Sequence, residues 1–243
     1  MRNIFPEKSA VHNKQPIVEA SIDTVYANGD SWSYGSELGD ESEQYRNQNN
    51  YPGLIAQQLN VALENNSFPG GSNARTFRTT IRDISKLLLE GKKPLAIITW
   101  TEPHRFELYD TTLKEWTSFA NPSSTQNRLL TNEIWGKYSD DVSDLESFIS
   151  KVIALEAFFK NNNVPYIMVN SCMINFTALP MNEFKIYSSI LDKTNYLASI
   201  TLNGYLRTYN SVDWGINQHP KENGHKIVAD FLLAQIKERY ILT

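Results

Sequence analysis

A serine that follows an apolar strand and opens a glycine-bracketed turn is a candidate nucleophile. Ser31 has that setting, because Thr24-Val25-Tyr26-Ala27-Asn28 runs into Gly29-Asp30-Ser31-Trp32-Ser33-Tyr34-Gly35. At a strand end the hydroxyl points out of the sheet, and nearby backbone N–H groups can face a developing oxyanion. The competing reading is a polar turn in which Asp30 and Ser31 only cap the next helix. A serine hydroxyl needs a base, usually a neutral imidazole, and the chain offers four histidines. His12 lies in a polar arm, and His104 follows an apolar run and could reach the edge of a site. His225 falls one turn inside the last helix, where capping or packing suits it. His219 stands just before Pro220, whose ring pre-sets the backbone at the helix start, and is the expected base. Asp213, the nearest carboxylate upstream, is the expected partner of its far nitrogen; the alternative for Asp213 is a solvated loop acid.

Arg105 would sit near the same edge, either as a clamp for an acidic or hydroxyl-rich substrate group or as half of a salt bridge. Trp32, Trp100, Trp116 and Tyr34 could form a platform for sugar rings or an acyl chain, although core packing is the commoner fate of aromatics beside strands. Cys172 reads as a small buried residue, and Asp140-Asp141, Arg75, Arg78 and Arg82 as solvated faces. No spacing suggests a metal, since His219 and His225 are six apart and there is a single cysteine, so no cofactor is expected.

These groups need elements to position them. Apolar runs at 23–28, 61–63, 94–101 and 164–170 read as strands. Helices are expected from Pro52 with Leu54, Ile55 and Leu59 on one face, over roughly 74–90 ending at Gly91, and behind a Ser143-x-x-Glu146 capping box to the Asn161-Asn162-Asn163 run. Two more are expected over 181–200 and 221–239. The alternation implies an α/β fold with a mainly parallel sheet covered on both faces. In such sheets ligands bind at the carboxyl ends of the strands, where Ser31, Gly71, Thr101 and the segment after Asn170 would meet. Residues 1–20 read as an arm that packs on the domain or docks it to a larger assembly, and 21–243 as one domain with an irregular excursion over about 107–138.

Composition narrows the function. At 243 residues with 41% hydrophobic content the chain can bury a full core, and a net charge of −4 without a basic stripe argues against nucleic acid as a partner. No segment approaches the ~18 to 20 apolar residues that span a bilayer, and Met1 to Lys14 lacks the apolar core of a signal peptide. A soluble protein, cytoplasmic or virion-associated, is expected, in which the Asn65 and Asn175 sequons carry no sugar.

Gly29-Asp30-Ser31, the Gly70-Gly71-Ser72-Asn73 turn, Trp100-Thr101-Glu102-Pro103-x-Arg105 and His219-Pro220-x-x-x-Gly224-His225 resemble successive blocks of the GDSL or SGNH hydrolase family, over about residues 22 to 105 and 211 to 238. The resemblance implies a three-layer α/β/α, flavodoxin-like hydrolase that cleaves esters through an acyl-enzyme. Ser31 then matches the nucleophile, His219 the base, and Gly71 the glycine whose N–H lines the oxyanion hole with that of Ser31. Two departures stand out. Where the family has Gly-x-Asn-Asp this chain reads Thr99-Trp100-Thr101-Glu102, leaving Asn73 or Thr101 to supply a donor. The family's acid precedes the histidine by three residues, a position held here by Ile216. Asp213 therefore requires a looped-out 214–218 segment, which Gly215 would permit, and the alternative is a serine–histidine dyad held by a backbone carbonyl. The expected activity is hydrolysis of short-chain or O-acetyl esters of a glycan, with Trp32, Trp100, His104 and Arg105 at the substrate. The alternative is a non-catalytic binding or structural module of the same fold. The Gly-Asp-Ser-Trp-x-Tyr-Gly and Trp-Thr-x-Pro-x-Arg patterns also resemble hydrolase domains of bacteriophage proteins.

Overall fold

The computed structural model describes residues 18–40, 42–119, 136–137, 139–172, 174 and 181–243. His12, most of the expected arm, Trp135, the Asn175 sequon and the excursion from residue 120 to 135 lie outside the described residues.

Five strands form one parallel sheet in the order β3 (Ala62–Asn65), β2 (Thr24–Asn28), β4 (Pro94–Trp100), β7 (Tyr166–Asn170), β8 (Tyr196–Thr201). All residues of β2, β4 and β7 are buried, as continuous apolar runs should be when helices cover both faces. Successive side chains point to opposite faces. Tyr26, Ala96, Ile98, Trp100, Tyr166 and Met168 therefore meet α4 (Asn73–Leu89) and α5 (Asp141–Asn161) through Ile84, Leu87, Phe148, Val152 and Phe159. Val25, Leu95, Ile97, Ile167 and Val169 pack on the other side against α3 (Tyr51–Leu59), α7 (Leu202–Leu206) and α8 (Glu222–Lys237), through Ile55, Leu206, Val228 and Leu232. The result is a three-layer α/β/α sandwich, the architecture expected from the alternation of runs.

Two small sheets flank it. β1 (Val18–Ala20), at the end of the expected arm, pairs in parallel with β9 (Tyr240–Leu242), and β5 (Phe106–Asp110) forms an antiparallel hairpin with β6 (Glu115–Phe119). The described part of the expected irregular excursion is thus regular. Arg78 holds it, with two hydrogen bonds to Glu107 at 2.9 and 2.8 Å and its guanidinium 4.4 Å from the Trp116 ring centre, so Arg78 is not a merely solvated charge. Arg75 is likewise engaged, donating to the Asn66 carbonyl at 2.9 Å.

Two local expectations are corrected. The helical region expected over 181–200 is a helix, α6 (Met181–Ile190), followed by β8, the fifth strand of the sheet. A six-residue edge strand buried mainly at Tyr196 and Leu197 carries too little periodicity to separate it from a helix. The third helix of the chain's middle begins at Asp141, not at Ser143: Asp140 accepts from the N–H groups of Val142 and Ser143 and is the cap.

The chain steps from β2 outward to β3 on one side and to β4 on the other. The carboxyl ends of β2 and β4 therefore form the switch point of the sheet, where such folds open a crevice.

Candidate active site

Ser31 opens the four-residue helix α1 (Ser31–Tyr34) directly at that switch point. The turn needs Gly29, because a Cβ there would lie 2.7 Å from both Ser33 Oγ and the Thr99 carbonyl. Asp30 caps α1 through Trp32 N–H at 3.0 Å and accepts from Ser171 Oγ at 2.7 Å. Burial pushes the Asp30 carboxyl up from its ordinary value, against the pull of Arg105 and Ser171. Beneath the turn the Ser33 hydroxyl meets Tyr51 Oη at 2.5 Å, and Tyr51 Oη also bonds Thr99 Oγ1.

His219 Nε2 lies 2.7 Å from Ser31 Oγ. The group on Nδ1 is Glu37, with Oε2 at 2.9 Å. Asp213, the expected partner, is directed elsewhere: its carboxylate accepts from Asn223 Nδ2 at 3.2 Å, and its own N–H goes to Asn223 Oδ1. The 214–218 segment does loop out, but it does so around the Glu37 carboxylate. That carboxylate accepts from Asn217 N–H at 3.0 Å, from Asn217 Nδ2 at 3.2 Å and from His219 N–H at 3.3 Å. Gly215 makes room, since a Cβ there would stand 2.6 Å from Glu37 Cδ and Oε2. Partial burial raises the Glu37 carboxyl, the donors from Asn217 and His219 lower it, and the net position is below the usual value. It is held as the anion.

Glu37 reaches this place through a backbone reversal. Gly35 ends α1 in the left-handed region at φ 85°, and Glu37 itself takes φ 64°. Lys221 Nζ binds the Glu37 carbonyl, and Glu222 Oε1 accepts from Gly39 N–H and Tyr45 Oη, both at 2.8 Å, so the start of α8 anchors the loop. In the sequence Glu37 begins a polar loop with no local pattern, and its only signal is proximity to the Ser31 turn.

The side expected to bind an oxyanion is sparsely furnished. Ser31 N–H has no protein acceptor among the described residues, as fits the first turn of a helix. Gly71 N–H donates to the Phe68 carbonyl at 2.8 Å, and its Cα borders the Gly29 carbonyl, 3.4 Å from where a Cβ would stand. Asn73, expected as a substitute amide, clamps the end of β4: Oδ1 accepts from Thr101 N–H at 2.9 Å, while Nδ2 donates to the Thr101 and Glu102 carbonyls at 3.0 and 3.4 Å. Thr101 Oγ1 donates to Glu102 Oε2 at 2.9 Å. Both are structural in this arrangement.

Of the expected substrate contacts, Trp32 is edge-on to His219 with ring centres 6.4 Å apart, but it is buried in the core and supports the histidine from behind. Trp100 does not: it is fully buried, packs edge-on against Phe148, and its indole N–H meets Met168 Sδ at 3.3 Å. Arg105 pairs with Glu102 at 2.5 Å and stands 4.0 Å from Asp30, so its charge is neutralised within the wall, and the salt-bridge alternative describes it. His104 is exposed and faces Asp144 near the start of α5, away from Ser31 and His219. Trp214, absent from the expected contacts, is edge-on to Trp32 at 6.2 Å. His225 is buried, stacked on Tyr51, and accepts Tyr51 N–H at Nδ1.

A family model matches residues 36–240, most of the chain, and its description is Family of unknown function (DUF6071). The protein belongs to this family. No curated protein matches the DUF6071 chain in sequence. Solved structures match it in fold. The carbohydrate esterase family 2 enzyme with carbohydrate-binding domain from Corynascus thermopiles (Myceliophthora fergusii) aligns at a TM-score of 0.52 and 15% identity, over 91% of this chain and 68% of that one. TesA aligns at 0.51 and 11% over 88% and 98%. The psychrotrophic esterase EstA from Pseudoalteromonas sp., in a structure inhibited by monoethylphosphonate, aligns at 0.50 and 12% over 89% and 97%. The DUF6071 chain thus has the fold of SGNH hydrolases.

Proposed function

We propose that the protein is a serine ester hydrolase in which Ser31, His219 and Glu37 act as nucleophile, base and orienting acid. The observation that carries this reading is the unbroken relay from Ser31 Oγ to His219 Nε2 at 2.7 Å and from His219 Nδ1 to Glu37 Oε2 at 2.9 Å, at the switch point of the sheet. Glu37, accepting the Nδ1 proton, leaves Nε2 as the free acceptor for the serine proton. Ser31 Oγ attacks the acyl carbon, and His219 takes its proton and returns it to the leaving alcohol. Water, deprotonated by the same imidazole, then releases the acid and regenerates Ser31.

The tetrahedral oxyanion is bound by Ser31 N–H and by Gly71 N–H, which must share its hydrogen between the Phe68 carbonyl and the substrate. A lost donor costs ~3 kcal/mol, so a two-donor hole favours reactive, unhindered esters. Short-chain esters, in particular O-acetyl groups on a glycan, fit that limit and the half-buried Trp214 ring, which packs on Trp32 next to His219. The carbohydrate esterase of family 2 that shares the fold is consistent with this class. The test is labelling with a fluorophosphonate together with turnover of a chromogenic acetate ester: wild type should be labelled at Ser31 and active, and Ser31→Ala neither. The engaged Gly71 N–H favours a second reading, a glycan-binding module without turnover, which predicts binding of the glycan and no adduct.

A further inference from the structure

Beyond His219 the rim of the site carries a cation without an anionic partner. Arg207 stands at the end of α7, the element that follows β8 at the carboxyl edge of the sheet. Its Nε donates to Asn203 Oδ1 at 2.7 Å, its Nη2 reaches Gln218 Oε1 at 3.4 Å, and its guanidinium carbon lies 5.1 Å from the Trp214 ring centre. All three partners are neutral. Among the described residues no carboxylate pairs with it, and the side chain is exposed. Arg105, the residue expected to meet an acidic substrate group, is neutralised by Glu102 and Asp30, and Arg78 is neutralised by Glu107.

An exposed arginine is ordinarily only a solvated charge. Arg207 differs in being held by three contacts at one position. The i+4 to i bond from Arg207 to Asn203 and the contact with the Trp214 ring hold the guanidinium, and Gln218, in the left-handed region at φ 64°, is the residue directly before His219. Trp214 is edge-on to Trp32, and Trp32 is edge-on to His219. A row of Arg207, Trp214, Trp32 and His219 thus runs from the rim to the base. The guanidinium at its outer end is held by neutral groups alone, and Nη1 has no protein acceptor among the described residues. A planar, pre-oriented fork recognises a carboxylate in a way that a point charge does not.

Resting on the esterase reading, we propose that Arg207 binds the carboxylate of an acidic sugar, so that the preferred substrate is an O-acylated uronic-acid-type glycan with its acyl carbon at Ser31 and its carboxylate at Arg207. The half-buried Trp214 ring lies beside the sugar between these two points, with the buried Trp32 ring packed edge-on behind it.

The test compares methyl galacturonide with methyl galactoside as ligands by NMR titration of the full chain, and their O-acetyl derivatives as substrates. Wild type should favour the acidic member of each pair by about tenfold, the scale of one charge-assisted contact, and the preference should shrink as salt is raised. Arg207→Gln should bring the ratio to about one, Arg207→Lys should keep part of it, and Arg207→Glu should reverse it. Equal affinity for the two glycosides in wild type, or a preference that survives Arg207→Gln, overturns the proposal. Failure of the esterase reading is separately visible: a retained acid preference in binding, with no turnover of either ester, keeps the carboxylate site and removes the hydrolase.

Discussion

Glu37 Oε2 and His219 Nδ1 lie 2.9 Å apart, and the carboxylate comes from the loop that leaves the Ser31 helix, not from the segment that leads into the histidine. Ser31 and Glu37 therefore lie on one short stretch, and His219 closes on them from 188 residues beyond Ser31. Removing the acid while keeping its shape should show its part. Glu37→Gln places a neutral amide beside Nδ1 and is expected to lower kcat by roughly 10² to 10⁴. Asp213→Asn should leave kcat within about twofold of wild type. Steady-state kinetics on an acetate ester decide between them, and the opposite pattern would return the role to Asp213.

Gly215 is expected to be intolerant of any side chain, because the Cβ of alanine would overlap the Glu37 carboxylate. Gly215→Ala should displace Glu37 and lower kcat at least about tenfold, on the scale that a misplaced catalytic group costs. Circular dichroism should show the fold retained. Full activity in this variant would mean that the Glu37 contact is dispensable.

Asn73 bonds the main chain of Thr101 and Glu102, so its loss is expected to act on stability before chemistry. Asn73→Ala should cost about 1 to 3 kcal/mol in urea denaturation, because buried main-chain groups at the end of β4 lose their partner. A large fall in kcat at unchanged stability would instead make Asn73 an oxyanion donor.

Two buried groups give stability opposite dependences on pH. Burial lowers His225 from 6.5 to about 3, so between those values the unfolded chain binds more protons, and stability is lost as pH falls from 6.5 toward 3. Glu156, 3% exposed and accepting from Asp192 N–H, is raised by burial from 4.5 to about 7. Across that window the unfolded chain binds fewer protons, and stability falls as pH rises. Glu156→Gln should therefore stabilise the protein by about 1 to 3 kcal/mol at pH 8 and leave it nearly unchanged at pH 4. Denaturation at the two pH values checks this, and an equal effect at both refutes it.

Much of the fold was legible in the chain because its signals are local. The runs that became β2, β4 and β7 are too apolar to stand anywhere but in a doubly covered sheet, and α4 and α8 carry their own stripes and stops. β8 has no comparable signal, because a short edge strand has little pattern of its own.

Within the site, the residue types at Ser31 and His219 and their places at a strand end and a helix start are written in the sequence, since a glycine turn after an apolar run and a proline after a histidine are local constraints. Their closeness is not local. Which carboxylate stands behind His219 depended on the left-handed reversal at Gly35 and Glu37 and on the space at Gly215, and these contacts join segments 180 residues apart. The same holds for charge: Arg105 and Arg207 look alike in sequence, and only the packing that brings Glu102 and Asp30 to the first and leaves the second on Trp214 decides which is paired with a carboxylate. Spacing along the chain determines residue type and local conformation, whereas a hydrogen bond or an ion pair is decided by distance in space.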